Sequence, residues 1–193
     1  MKSKVKYSLW GLAAVGAVSV YAIWRKNNKK PLPTVDEVDL NKYMGLWYEI
    51  ARLPIRYEKG CLEPKAFYSL NDNGSVKVVN SCRRESPNGK EDAVEGTAFV
   101  ADPKTNAKLK VQFQWPFKGD YYILDVGKEY DYAMVGDPSR KHLWLLSRKP
   151  SLDNVIQENL VQYAGELGFD TGKLIFAKHE TDGALAAMET FKE

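Results

Sequence analysis

Only two histidines and two cysteines occur in this chain of 193 residues. Neither His142 nor His179 has metal-ligand spacing around it, and neither cysteine has a histidine neighbour to activate it as a nucleophile. A glycine-rich phosphate loop and a nucleophile elbow are missing as well. An enzyme is therefore not expected, and neither is a metal or a cofactor. No cysteine precedes Cys61, so the N-terminal segment offers no acceptor for a bacterial lipid anchor. That segment also lacks acids: its first 30 residues carry +7 of a chain whose total is +3, which leaves −4 for residues 31–193. The basic balance belongs to the leader, and the body has no positive field with which to attract nucleic acid.

Within the leader, Lys2, Lys4 and Lys6 precede an apolar run from Ser8 to Trp24. As a helix this run reaches roughly 25 Å, against ~30 Å of bilayer hydrocarbon. Residues 1–24 thus read as a signal peptide or a membrane anchor. Cleavage fits after Ala22 or Ser19, whereas Tyr21, Trp24, Arg25 and Lys26 suit an interfacial belt that stays in place. Either way the body is expected outside the cytoplasm, in a periplasmic, membrane-associated setting, anchored or released. Residues 25–35, with Pro31 and Pro33, read as an extended linker, and residues 36–180 as one domain. Residues 181–193 read as a tail or weak helix.

The body is written in short apolar segments punctuated by Gly, Pro, Asn and Asp, the spacing of antiparallel sheet. Eight are expected: 47–53, 66–70, 76–82, 94–100, 109–115, 121–126, 132–135 and 143–147. The second and third flank Asn71-Asp72-Asn73-Gly74, which suits a tight turn with Gly74 at positive φ. Leu109, Val111, Phe113 and Trp115 alternate with Lys108, Lys110, Gln112 and Gln114, so one face of the fifth segment is apolar and the other wet. The eighth is apolar on both faces and needs an outer cover. A helix from Ser151 or Asp153 to Gly168 supplies it, and Leu174–Ala177 can return as a ninth, edge strand. The fold class is all-β: an eight-stranded antiparallel up-and-down barrel with one C-terminal helix packed outside. A sandwich is the competing architecture.

Gly45-Leu46-Trp47-Tyr48-Glu49-Ile50-Ala51-Arg52, then Tyr130–Arg140 with Gly136-Asp137-Pro138, then Leu143–Arg148 resemble, in order and spacing, the three signature regions of the lipocalins. The resemblance covers residues 35–180 and points to the branch of bacterial outer-membrane lipocalins, apolipoprotein D and plant temperature-induced lipocalins. It implies a barrel closed at one end, where Gly45, Trp47 and Arg148 are structural, and open at the other to a hydrophobic ligand. A Trp face under an Arg plane is attractive by roughly 0.5–2 kcal/mol, and the Arg donors can cap strand carbonyls.

With Trp47 and Arg148 inward, period 2 turns Glu49, Ala51, Leu146 and Trp144 inward too. The expected lining set is Glu49, Ala51, Val78, Val100, Leu109, Val111, Phe113, Tyr122, Met134 and Trp144, in a barrel that is either hollow or filled by these side chains. Glu49 is a buried carboxylate that accepts from Tyr68 or orients a head group, or else a solvated one. Arg52, Arg56 and Tyr57 fall at the mouth, where a cation can meet a lipid phosphate. Cys61 and Cys82 end the two arms of the hairpin on one face, as a disulfide in an oxidising compartment or as two thiols in a reducing one.

The expected function is binding, storage or transport of a fatty acid or lysophospholipid, which the resemblance connects with membrane lipid maintenance. Partners are the lipid and a membrane, met through the leader or the mouth; a homodimer stays open. The competing readings are a structural or interaction barrel that transports nothing and a lipocalin-type isomerase or de-epoxidase. The latter needs a polar reacting group inside, for which Glu49, Asn80 and Tyr68 are the candidates.

Overall fold

Each strand pairs antiparallel with the next in sequence, and the first returns to the last. The computed structural model describes residues 30–84 and 89–179. It separates residues 1–31 from the body, which starts at Leu32. The leader, most of the linker and the tail fall outside the described residues. In the body, β1 (Gly45–Arg52), β2 (Cys61–Leu70), β3 (Val76–Arg84), β4 (Glu91–Val100), β5 (Lys108–Gln114), β6 (Phe117–Val126), β7 (Tyr132–Gly136) and β8 (Leu143–Ser147) follow one another round a ring. β1 pairs with both β2 and β8 and so closes it. The architecture is a barrel, not a sandwich, and closure removes the unpaired edges that a sandwich retains.

Strand ends differ from expectation mainly at the open rim. β2 begins at Cys61 and β6 at Phe117, several residues before their apolar stretches. Hairpin partners there supply ladder hydrogen bonds to polar residues that hydrophobic patterning cannot reveal. β5 ends at Gln114, leaving Trp115 in the turn, 84% exposed. The Asn71–Ser75 turn has Gly74 at φ +78°. Cys61 stands opposite Arg84, and the Cys61–Cys82 disulfide is formed, with a Cα–Cα distance of 5.4 Å. The irregularity that aligns the pair is at Leu62–Lys65 in β2, where Glu63 has φ +50°.

The barrel has two apolar layers. Inside, Trp47, Tyr68, Val78, Leu109, Ile123, Val135 and Leu146 form one buried cluster. Outside, Tyr48, Leu124, Met134, Leu143 and Leu145 form another beneath α2 (Asn154–Glu166), whose Leu160 and Ala164 face it. The Asp153 side chain caps this helix by accepting from Val155 and Ile156 N–H. At its far end Gly168 takes φ +89°; its N–H reaches the Gly165 carbonyl and that of Phe169 reaches Ala164, a Schellman stop. β9 (Ile175–Phe176) then pairs with the second half of β1.

A short helix, α1 (Leu40–Tyr43), lies at the closed end. Sequence patterning did not predict it, because four residues are too few for a periodic signal. Asp39 starts it by accepting from Asn41 and Lys42 N–H. The preceding segment is strapped to the barrel by Val35 N–H to the Ile123 carbonyl at 3.1 Å and Val38 N–H to Thr105 at 2.8 Å. Arg148 locks this end. Its guanidinium lies 3.7 Å from the centre of the Trp47 ring and donates to the carbonyls of Leu46, Lys42, Met44 and Tyr130 at 2.7–3.2 Å. The Trp47 indole N–H in turn donates to the Tyr43 carbonyl. Gly45 enters β1 at φ +95°, and a Cβ there would stand 3.4 Å from the Arg148 Nη1. Removing the guanidinium strips four carbonyls of their donor, and hydrogen bonds from a charged group are worth about 1.5–3 kcal/mol each where they count. Arg148→Ala is expected to lose about 3 kcal/mol or more in urea unfolding, with Arg148→Lys recovering only part of it.

Candidate functional site

The interior is hollow: a cavity of about 840 Å³ runs from α1 at the closed end to the open rim. Its walls are Val76 and Val78 from β3, Ala98 from β4, Leu109 and Val111 from β5, and Leu146 from β8. Each points inward because alternate residues of a strand share a face. Phe113, Phe117, Trp144 and Tyr57 ring the mouth. The volume falls in the range of about 300–1,000 Å³ usual for ligand pockets.

Polar groups gather at two levels. Near the mouth, Arg52 Nη1 donates to Glu49 Oε1 at 2.7 Å, its Nη2 donates to the Glu58 carbonyl at 2.7 Å, and its Nε lies 2.9 Å from Glu58 Oε2. The Trp144 indole N–H reaches the other Glu58 oxygen at 3.4 Å, and the His142 ring stacks on Trp144. Burial pushes the Glu49 carboxyl well above its ordinary value of 4.5, and the Glu58 carboxylate adds to the rise while Arg52 opposes it. At the floor, the Tyr43 and Tyr121 hydroxyls are 2.8 Å apart and those of Tyr68 and Tyr121 3.1 Å apart. Burial raises all three phenols, Tyr68 to about 12, so they are hydrogen-bond donors at any physiological pH. Among the described residues no three His, Cys, Asp or Glu side chains converge to hold a metal.

Of the expected lining set, Glu49, Val78, Leu109, Val111, Phe113 and Trp144 line the cavity. Val100 packs against the interior cluster without lining the cavity. Ala51, Tyr122 and Met134 belong to the outer layer under α2. Ala51 is displaced by a bulge: Glu49 opposes Leu146 but Ala51 opposes Leu145, so Ile50 is an extra residue and parity reverses after it. Tyr122 and Met134 lie on strands that are apolar on both faces, with Tyr121, Ile123, Ala133 and Val135 taking the inner positions. Arg52 is not free to meet a phosphate, being buried and paired with two carboxyls.

A family model described as a lipocalin-like domain matches residues 38–179. The chain belongs to the lipocalin family. It is 39% identical over 155 residues to temperature-induced lipocalin-1 of Arabidopsis thaliana, covering 76% of this chain and 82% of that one. It is 35% identical over 167 residues to the outer membrane lipoprotein Blc of Escherichia coli K12, covering 86% and 93%. Insecticyanin from the tobacco hornworm Manduca sexta shares the fold at a TM-score of 0.64 and 22% identity, covering 80% of this chain and 88% of that one. Lipocalins typically bind small hydrophobic ligands, and the cavity of this one is built for that chemistry.

Tyr43, Glu58 and Tyr121 went unrecognised in the sequence of this lipocalin. Tyr43 sits in the unforeseen α1, although Asp39 ahead of Leu40 was a capping signal. Glu58 sits in a 3-10 turn with no period to read. Glu49 carries a pH consequence. Its folded pKa is raised, so the stability it contributes is complete below its ordinary value of 4.5 and is lost as pH climbs through the folded one. In urea unfolding between about pH 5 and pH 8, the midpoint of Glu49→Gln should fall less steeply than that of the unsubstituted protein.

Proposed function

We propose that this lipocalin binds, stores or transports a fatty acid or lysophospholipid in its barrel and acts in membrane lipid maintenance outside the cytoplasm. The observation that carries the reading is the 840 Å³ cavity, apolar along its walls and open at one end. An acyl chain entering it gains about 0.8 kcal/mol per buried methylene. The Cys61–Cys82 disulfide fits an oxidising compartment, and the likeness to a protein named an outer membrane lipoprotein supports a membrane setting. A binding reading suits the interior, where Glu49 is paired with Arg52 and the Tyr43 and Tyr68 hydroxyls each bond to that of Tyr121.

The rim supports delivery at a lipid surface. Trp115 and Phe117 form the tip of the β5–β6 hairpin, 84% and 73% exposed, and Tyr57 across the mouth is 85% exposed. Arg56, Lys59 and Lys118, all exposed, flank them. Aromatic rings with basic neighbours suit the bilayer interface, and large rings do not gather in water without use. Docked this way, the open end faces the membrane and a chain passes between the two without crossing water.

Native mass spectrometry of the protein mixed with palmitoyl lysophosphatidylcholine is expected to give a one-to-one complex with a raised melting temperature. Ala98→Trp, which fills the cavity, should weaken it by more than about tenfold. No complex and no thermal shift would sink the transport reading. Trp115→Ser should cut co-sedimentation with lipid vesicles by about fivefold or more while soluble-lipid binding persists.

A further inference from the structure

The three phenols at the floor cannot satisfy one another. Tyr43, Tyr68 and Tyr121 bring three O–H groups into contact, and their two hydrogen bonds consume two of them whichever hydroxyl donates. One O–H is always left over. If Tyr121 accepts from both neighbours, it is the Tyr121 hydrogen; in either other arrangement it belongs to Tyr43 or Tyr68. Among the described residues none of the three hydroxyls has a hydrogen-bond partner outside the trio. All three rings line the cavity, with Tyr43 and Tyr68 buried. In the same cluster Leu40, Val76 and Leu109 offer only hydrocarbon, and the Met44 thioether is a weak acceptor at best. A hydrocarbon tail reaching this depth would strand a donor in a dry place, at a cost that buried polar groups rarely bear.

We propose that the floor is a hydrogen-bonding subsite for a neutral oxygen acceptor, a carbonyl or hydroxyl, carried at the buried end of an elongated apolar ligand. The proposal rests on the lipid-binding reading and deepens it: the ligand is polar at both ends, with one oxygen at the tyrosine floor and its head group at the mouth. Tyr121 lies four residues along β6 from Phe117, a strand length of about 13 Å, so a long chain anchored at the mouth spans the distance. A neutral acceptor is favoured over an anion because the floor is desolvated, which raises the phenols and would equally oppose a carboxylate. A site built to hydrogen-bond an oxygen discriminates strongly against the analogue that lacks it.

Isothermal titration of the full-length protein with two lipids decides the matter: palmitoyl lysophosphatidylcholine, and the same lipid with a methyl ketone at its tail end. The ketone lipid is expected to bind at least about tenfold tighter. Tyr121→Phe should keep or widen that ratio, because deleting the central hydroxyl frees both outer ones. The triple variant Tyr43→Phe, Tyr68→Phe, Tyr121→Phe should reverse it, since the carbonyl is then buried without a donor. Equal affinities for the unsubstituted protein would assign the spare donor to water and overturn the proposal, as would loss of the preference in Tyr121→Phe alone. A preference that survives the triple variant would make it a matter of shape and overturn the proposal too. Failure of both lipids to bind the unsubstituted protein removes the lipid-binding reading itself, an outcome distinct from equal binding.

Discussion

Everything inside the barrel depends on one end being shut. A cylinder of eight strands has no intrinsic floor, and the carbonyls at its end would face either water or nothing. Arg148 resolves this by supplying donors to four carbonyls from three parts of the chain, while its flat face rests on Trp47. A lysine offers three donors on a flexible stem and no plane to stack, so the geometry selects arginine. The carbonyls of Lys42 and Met44 belong to α1 and its cap, so the same guanidinium also holds the plug in place. Tyr43 thereby becomes part of the cavity floor.

The closure also separates what carries the fold from what contacts a ligand. Trp47 is fully buried beneath the floor, outside the cavity wall. Ligand-facing positions lie between it and the rim, on a wall where Glu49 already holds Arg52. Arg52, buried between Glu49 and Glu58, is neutralised where it stands. Exposed cations at the rim include Arg56, Lys59 and Lys118 instead.

Much of this was legible in the sequence. The eight strands, the capped outer helix, the ninth strand and the partnership of Gly45, Trp47 and Arg148 all followed from spacing and from resemblance, and the cysteine pair from hairpin register. What failed was face assignment downstream of an irregularity. Period 2 carries inward and outward along a strand only until an extra residue intervenes, and the bulge at Ile50 leaves no mark in composition. Tyr122 and Met134 failed differently: α2 covers their strands, so both faces are apolar and alternation carries no information. The tyrosine floor was invisible for a third reason, since its three hydroxyls come from a short helix and two distant strands and meet only after closure.

The bulge in β1 has an implication for how this strand can vary. Glu49 and Arg52 are an odd number of residues apart, and in a regular strand one of them would face the apolar layer under α2. The extra residue at Ile50 lets both turn inward, where the guanidinium donates to the carboxyl. Strand length here is thus governed by parity: losing or gaining a single residue between them would drive a charge into hydrocarbon, whereas a change of two would leave the pair intact.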